Sequence, residues 1–326
     1  MNNILISNSV VLETTSYCNL HCPQCPRFDQ NGFLDKHLNP THLDFERFSK
    51  NFNLSQLPNL KEALFEGDFG DCMMHPKIID FINFFKDLNL ITLITNGSIR
   101  SESFYRNLAK IKNLKIIFSI DGFEDTNHLY RINSDYNKIM KNVRAFIDAG
   151  GQAIWKYIVF KHNQHQVERA VNEYKTLGFS DLIIQHTERS WFQGLEWDVK
   201  INGESLGYKL EPSDNVNKAK PLASKGALQE IDLNPININC SWKKDKQFYV
   251  NATGNILPCC MINGPSWQTP ISSQLFKQLV GDNSINIYNN SILEIANGEF
   301  YTNNLKESWK KYNTAFYSCI ANCNCS

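Results

Sequence analysis

The stretch SYCNLHCPQCPR, residues 16–27, contains three cysteines at the spacing C-x3-C-x2-C. Three thiols cannot all be paired in disulfides, and a closed tetrahedral zinc or iron–sulfur site takes four ligands. Cys18, Cys22 and Cys25 can, however, bind three irons of a [4Fe–4S] cluster and leave the fourth iron open to an outside ligand. The alternative is a zinc site that His21 or a distant cysteine completes. The stretch therefore predicts a metal site, and an under-ligated cluster would make that site reactive.

Around this stretch, the first part of the chain alternates between two kinds of segment. Six short apolar segments rich in β-branched residues are separated by five amphipathic segments, which predicts a parallel sheet with right-handed crossovers. An open six-stranded barrel and a doubly wound sheet would both satisfy this pattern. In either arrangement the chemistry lies at the carboxyl ends of the strands, and the three cysteines directly follow the first strand. The apolar segments are VVLETT, EALFEG, LITLITNG, LKIIFSIDG, AIWKYIVF and DLIIQHT, and the amphipathic ones lie near 42–50, 76–88, 101–111, 135–149 and 164–177.

Composition excludes several classes of function. The 33 basic and 33 acidic residues cancel, so no global positive field attracts nucleic acid or an anionic membrane. The N-terminal MNNILISNSV has no basic region before its short apolar run, unlike a signal peptide. No apolar segment approaches the ~20 residues that span a bilayer. We therefore expect a cytoplasmic protein with no nucleic-acid or membrane partner, in a compartment where clustered cysteines bind metals more often than they form disulfides.

With this spacing after the first strand, the sequence resembles the radical SAM enzymes, whose signature Cys18, Cys22 and Cys25 match. The resemblance implies a partial (β/α)6 barrel. It also implies that S-adenosylmethionine chelates the open iron, and that an electron from the cluster cleaves it to methionine and a 5′-deoxyadenosyl radical, which removes a substrate hydrogen. An electron donor such as flavodoxin or ferredoxin would then be a partner.

Two further segments match the family where it contacts S-adenosylmethionine. In EGDFGDC, at the end of the second strand, Gly70 and Asp71 match the start of a Gly-Glu-Pro-like segment that faces the methionine amino group. Glycine suits this position because it lets the backbone approach a ligand closely. In FSIDG, at the end of the fourth strand, Ser119 and Asp121 resemble the stretch that contacts the ribose.

Two single residues are additional candidates for binding S-adenosylmethionine, again from the resemblance to the family. Asn96 ends the third strand, and Lys156 on the fifth strand could pair with the methionine carboxylate. An ordinary structural role would explain each of them equally well.

A second group of cysteines lies near the C-terminus. After Cys240 the sequence predicts a hairpin that turns at residues 253–255. The pattern from Cys240 through Gly254 to Cys259 resembles the opening of the SPASM and twitch domains that follow many radical SAM barrels. The C-x2-C-x5-C-x3-C run of a full SPASM domain is absent, so the remaining cysteines suffice for one auxiliary [4Fe–4S] cluster. A zinc knuckle is the alternative for four cysteines. Two of the three last cysteines would complete the site, with the first two favoured: Cys319, Cys323 and Cys325.

Two more cysteines are candidates for a catalytic thiol. Cys260, next to Cys259, is either an inert buried thiol or a hydrogen donor near the active site. Cys72, at the end of the second strand, is the competing candidate. We expect both to be structural and the reaction to be oxidative or bond-forming.

These predictions combine into one organisation. The fold class is α/β: a partial radical SAM barrel over 1–195, a variable linker or insertion over 196–239, and a small α+β cysteine-rich auxiliary domain over 240–326. The resemblance to radical SAM enzymes with such C-terminal domains implies, as the expected function, modification of a ribosomally made peptide by cross-linking, oxidation or epimerisation. The first alternative is a dehydrogenase or epimerase of a sugar-type or aminoglycoside-type small molecule. An alternative of another class is a non-catalytic zinc-binding scaffold.

Overall fold

The structure is a computed structural model and describes residues 4–186, 196–214, 238–263, 283–310 and 315–323. Its main feature is one eight-stranded sheet in the order β10-β9-β1-β2-β3-β4-β5-β6, beside a separate hairpin of β7 and β8. The strands are β1 Ser9–Leu12, β2 Glu62–Phe65, β3 Leu90–Thr95, β4 Leu114–Ser119, β5 Gln152–Val159, β6 Asp181–His186, β7 Trp197–Ile201, β8 Glu204–Leu210, β9 Gln247–Val250 and β10 Ile256–Leu257.

The helices follow the strands as the alternation predicted. The helices that separate β1 to β6 are α1 Phe45–Asn51, α2 Ile78–Phe84, α3 Glu102–Leu108, α4 Asn127–Tyr130, α5 Tyr136–Asp148 and α6 Val167–Glu173. The helices of the C-terminal region are α7 Ser241–Lys244, α8 Ile292–Asn297, α9 Leu305–Ser308 and α10 Tyr317–Cys323. In the described part of the chain, no helix is long and apolar enough to cross a membrane.

Strands β1 to β6 pair in sequence order and all in parallel. The four residues of the inner strand β1 are all buried, as expected where a parallel sheet is covered, whereas five of the six residues of the outer strand β6 are exposed. Asp44, Ser101 and Asp135 accept the backbone N–H bonds at the starts of α1, α3 and α5, which fixes where these helices begin. The predicted α/β class with its parallel sheet is confirmed.

The C-terminal region continues the same sheet. Strand β9 pairs in parallel with β1, with Val10 opposite Phe248, and β10 returns antiparallel to β9. The predicted turn at residues 253–255 joins β9 to β10, and Gly254 takes a positive φ of 86° there. The barrel and auxiliary regions predicted from the sequence therefore share hydrogen-bonded strands, although the predicted domain boundaries themselves stay a prediction.

The sequence analysis missed the β7–β8 hairpin, which lies within the segment predicted as a linker. Trp197, Val199 and Leu210 are buried in a second apolar cluster together with Leu20 and Cys22 of the first cysteine loop. The hairpin is also bonded to that loop through its backbone, where Asn202 and Gly203 donate to the carbonyls of Gly32 and Asn31. The first part of the segment predicted as a linker therefore packs over the first cysteine motif.

We predict that Gly254→Ala lowers the thermal stability more than Gly207→Ala does. Both glycines have positive φ, which costs an L residue about 1–2 kcal/mol. A methyl group at Gly254 would also lie 3.0 Å from the ring of Tyr288, whereas the same group at Gly207 meets nothing within 4 Å. Thermal unfolding followed by circular dichroism gives the comparison. Equal shifts in the two variants would show that the Tyr288 contact does not constrain the turn.

Candidate active site

The first cysteine motif lies in the loop after β1, at the carboxyl edge of the sheet. Cys22 is buried, and Cys18 and Cys25 are partly buried. The three thiols are close enough to influence one another electrostatically. Gln24 has a positive φ of 62°, and the Cys25 N–H donates to the Cys22 carbonyl at 3.1 Å, so the loop folds back between its last two cysteines. The loop is therefore wound so that all three sulfurs face a common region.

The end of β3 supports this loop through side-chain amides. Asn96 Nδ2 lies 3.8 Å from Cys18 Sγ and donates to Asn19 Oδ1 at 2.9 Å. Asn19 in turn donates to Ser98 Oγ at 2.9 Å. Asn96, a candidate from the sequence, therefore contacts the first cysteine of the motif. An N–H donor in this position stabilises a thiolate more than a thiol.

The segment at the end of β2 is held tightly by the chain itself. A methyl group on Gly70 would lie 1.8 Å from the Thr15 carbonyl oxygen. Only glycine therefore fits where this segment passes against the loop after β1. The buried carboxylate of Asp71 accepts from the Asn96 N–H at 2.7 Å and from the Thr95 hydroxyl and Met73 N–H. Asp71 therefore joins the ends of β2 and β3. The predicted contact of Gly70 and Asp71 with S-adenosylmethionine stays a prediction.

The end of β4 holds a buried ion pair in place of a free carboxylate. Asp121 is fully buried, and its two oxygens accept from Arg131 Nε and from the Ile158 N–H, both at 2.6 Å. On its other side Arg131 Nη1 lies 4.0 Å from Cys22 Sγ. The predicted ribose contact of Asp121 stays a prediction, and its carboxylate already has two internal partners, Arg131 and Ile158. Sequence reasoning missed Arg131.

The remaining two candidates lie on adjacent strands. Ser119 is buried at the end of β4 and is opposite Lys156 in the β4–β5 register. Lys156 Nζ is 4.0 Å from Glu66 Oε1 at the end of β2, a distance at which the two charges still attract. The Lys156 ammonium group therefore lies near the carboxyl ends of the strands. Its pairing with the methionine carboxylate stays a prediction.

Four cysteines of the C-terminal region converge. Cys240, Cys259 and Cys319 are buried, and the thiol of Cys240 lies beside that of Cys323. Cys259 interacts electrostatically with the other three. The structure therefore brings together the four cysteines that the sequence favoured for the auxiliary cluster. Cys325 lies outside the described residues.

The described cysteines of each group can be compared with what a single metal ion requires. Among the residues that the structure describes, no three His, Cys, Asp or Glu side chains are close enough to hold a single ion. A cubane cluster separates its ligands more widely, because each sulfur binds a different iron. The donor sets of three and four cysteines fit iron–sulfur clusters, whose ligands are thiolates.

A buried polar network connects the barrel with the auxiliary region, and the sequence analysis missed it. Glu13, directly after β1, accepts from the Phe69 N–H at 2.7 Å and from Asn263 Nδ2 at 3.3 Å. The same Asn263 amide donates to Asp68 Oδ2 at 3.1 Å and approaches the hydroxyl of Tyr249 at 3.2 Å. Two carboxylates thus share one amide in the interior. The available signal was a Glu directly after three consecutive apolar residues, Val10 to Leu12, at the end of the first strand.

Burial sets the protonation of this network. Desolvation raises the pKa of Glu13 well above its ordinary value, and the neighbouring Asp68 carboxylate raises it further. Desolvation likewise raises the pKa of Asp68. The pair therefore favours a state that holds a proton. A cavity of about 230 Å³ opens beside it. Its lining includes Glu13, Ser16, Phe69, Asn251, Thr253 and Asn263.

The two candidate catalytic thiols lie in different surroundings. Cys72 is buried and its Sγ lies 3.4 Å from the carbonyl oxygen of Ile94, inside the core. Cys260 is partly buried, and its thiol bonds to Asp68. Of the two, only Cys260 contacts the polar network, and its neighbour Cys259 belongs to the auxiliary cysteines.

Comparison with known proteins gives two kinds of finding. Residues 240–325 match the family model of SPASM, an iron-sulfur cluster-binding domain. The whole chain is similar in fold to SuiB of Streptococcus suis bound to S-adenosylmethionine, with a TM-score of 0.57 and 14% identity over 93% of this chain and 67% of SuiB. For SuiB bound to the precursor peptide SuiA, the TM-score is 0.56 and the identity 13%, over 97% of this chain and 71% of SuiB.

Other comparisons add little. The structure of BtrN with AdoMet and 2-DOIA aligns over 98% of this chain and 93% of BtrN at 15% identity, but its TM-score of 0.47 is below the level that indicates a shared fold. No curated protein sequence matches the chain. The SPASM match confirms the predicted auxiliary domain, and the similarity to SuiB confirms the predicted barrel fold.

We predict that Glu13→Gln becomes more stable relative to the unsubstituted protein as the pH rises. In the folded protein the Glu13 carboxyl keeps its proton up to a higher pH than it does in the unfolded chain. The unsubstituted protein therefore loses stability as the pH rises through this range, whereas a Gln side chain does not titrate. Between about pH 5 and about pH 8 the difference should grow by on the order of a few kcal/mol. Thermal unfolding at several pH values measures it, with the exposed Glu62→Gln as the matched control. A constant difference would mean that Glu13 is ionised in the folded protein.

Proposed function

Because the chain combines the radical SAM fold with a C-terminal SPASM domain, we infer that it is a radical SAM enzyme with two [4Fe–4S] clusters. Cys18, Cys22 and Cys25 would hold the first cluster and leave one iron for S-adenosylmethionine. When bound, cluster and cosubstrate together supply a 5′-deoxyadenosyl radical, which removes a hydrogen from the substrate. One observation supports this inference. The structure contains two separate clusters of cysteines, one on the loop after β1 and one around Cys259, with a polar network between them.

The chain's own residues would prepare the site in three ways. Asn96 orients the first cysteine, and the β7–β8 hairpin excludes water from the loop with the side chains of Trp197 and Val199. Glu13 and Asp68 hold a proton beside the cavity and could accept another from an oxidised substrate. An oxidation needs both a proton acceptor and an electron acceptor, and the second would be the auxiliary cluster. Flavodoxin or ferredoxin of the cytoplasm would supply the first electron.

We propose a peptide as the substrate. The cavity of about 230 Å³ is smaller than the ~300–1,000 Å³ of ordinary ligand pockets, so it suits one side chain of a longer substrate. Strand β6 lies at an edge of the sheet, and Ile183 and Ile184 are exposed on it. An exposed edge can pair with an extended peptide. SuiB, which shares the fold, has been solved with a precursor peptide bound.

A small polar molecule such as a sugar or an aminoglycoside is the second candidate. The observation that favours it is the polar lining of the cavity, where Glu13 and Asn251 could bind hydroxyl or ammonium groups. Co-expression with each short reading frame that neighbours the gene distinguishes the two. If one of these peptides changes in mass, the result supports a peptide substrate. If no peptide changes in mass, the result favours a small molecule.

We predict that the two cysteine groups have separable roles. Reconstituted protein should contain about eight irons, four in each cluster. Replacing Cys18, Cys22 and Cys25 together by Ala should remove about half of them and abolish formation of 5′-deoxyadenosine, because the under-ligated cluster is lost. Cys72→Ala is the matched control, since this thiol lies in the core. Iron analysis and chromatography measure both quantities, and continued formation of 5′-deoxyadenosine in the triple variant would contradict the assignment.

The complementary variant carries Ala at Cys240 and Cys259. It should lose the other half of the iron and turn over substrate poorly, while uncoupled formation of 5′-deoxyadenosine continues. Metal binding is coupled to folding, so its yield should also fall. An unchanged iron content would show that these two cysteines bind no cluster.

We also predict that the enzyme oxidises or joins its substrate and does not epimerise it. An epimerase must return a hydrogen to the substrate radical, and Cys260, whose thiol bonds to Asp68, would be the candidate donor. The modified peptide from co-expression, remade in deuterated water, should therefore carry no solvent deuterium at the reacting carbon. Product from the Cys260→Ala enzyme should be the same. Deuterium in the first product that is absent from the second would identify an epimerase and make Cys260 the donor.

A further inference from the structure

The guanidinium of Arg131 lies between a carboxylate and a predicted cluster ligand. Its Nε donates to Asp121 Oδ2 at 2.6 Å, and its Nη1 is directed at Cys22 Sγ, 4.0 Å away. Only 15% of the Arg131 side chain is exposed to solvent. At the end of α4, Arg131 donates its backbone N–H to the Asn127 carbonyl at 2.8 Å, which fixes the start of the side chain.

Asp121 is a rigid support for this arginine. It is fully buried, and its second oxygen accepts from the Ile158 N–H at 2.6 Å. Its backbone is bonded as well, to Asn127 Oδ1 through the N–H and to Asn163 Nδ2 through the carbonyl. A guanidinium is planar, so an acceptor on one edge determines where the other edge points. The ion pair therefore aims a donor at the sulfur.

The surroundings strengthen the effect of this donor. Cys22 belongs to the apolar cluster with Leu20, Tyr130 and Phe160, which the β7–β8 hairpin covers. In such a setting the interaction between a charge and a sulfur is screened far less than in water. Arginine stays protonated in proteins, so the positive charge beside Cys22 is permanent.

We propose that Arg131 is a positioning residue that donates an N–H to the Cys22 sulfur and makes the first cluster easier to reduce. This rests on the proposed function, in which Cys22 binds that cluster. In the step concerned, one electron passes from a reduced flavodoxin-type or ferredoxin-type donor to the cluster, no bond breaks, and no proton moves. The added electron increases the negative charge on the thiolate ligands, so a cationic N–H donor stabilises the reduced state more than the oxidised one.

The test is a redox titration of reconstituted enzyme followed by electron paramagnetic resonance. The first cluster is identified as the one whose signal changes when S-adenosylmethionine is added. In Arg131→Gln the ratio of reduced to oxidised cluster at a fixed potential should fall about tenfold, which is 59 mV for a one-electron couple. Arg131→Lys keeps the charge and should show a smaller fall.

Arg100→Gln is the matched control. Arg100 is also partly buried, but its guanidinium donates to the carbonyls of Met73 and His75 and to no sulfur. Its potential should equal that of the unsubstituted enzyme, and iron content should be the same in all variants. These results together support the inference.

Three outcomes would overturn it, the last of them together with the proposed function. Equal potentials in Arg131→Gln and the unsubstituted enzyme, with iron intact, would show that the N–H donor has no effect on reduction. Loss of the first cluster's iron in both Arg131→Gln and Arg131→Lys would show that Arg131 holds the loop and does not tune the cluster. An unsubstituted enzyme with no signal that responds to S-adenosylmethionine would instead overturn the proposed function, and this inference with it.

Discussion

The parallel pairing of β1 with both β2 and β9 is the constraint on which the rest of the structure depends. It places Val10 between Ala63 and Phe248, in a strand whose four residues are all buried. Because parallel strands end at the same edge, the first cysteine loop, the Asp68 segment and the turn after β9 meet there. Asn263 then reaches Glu13 and Asp68 from the auxiliary region. The strands that carry the first cysteine loop and the auxiliary region are therefore joined by backbone pairing.

This arrangement divides the chemistry between the cofactors and the chain. In the proposed function the thiols would provide the ligands, while neighbouring side chains determine what surrounds them: Asn96 and Arg131 direct N–H groups at two of the sulfurs. The β7–β8 hairpin shields part of the loop, including Cys22, from water, which strengthens the contact between Arg131 and Cys22. Glu13 and Asp68 form a separate acidic centre beside the cavity, where the Phe69 N–H and the Asn263 side-chain amide hold the two carboxyl groups.

The sequence predicted those features that depend on local patterns. Strand and helix alternation follows from hydrophobic periodicity, and the turn at Gly254 from its residue types. The missed features depend on partners distant in sequence. Trp197 and Val199 lie in a polar, Asn-rich and Lys-rich segment, and only their packing against Leu20 shows that they form a cover. Likewise Asp121 was predicted from its motif, but its pairing with Arg131 required the fold.

The central claim is that the two thiol groups hold two different iron–sulfur clusters, of which only the first binds S-adenosylmethionine. Mössbauer spectroscopy of the unsubstituted protein reconstituted with iron-57 tests it most directly. The account predicts two [4Fe–4S] spectra of equal intensity, and S-adenosylmethionine should shift the signal of a single iron in one of them. A protein that takes up zinc in place of iron, or spectra that S-adenosylmethionine leaves unchanged, would contradict it.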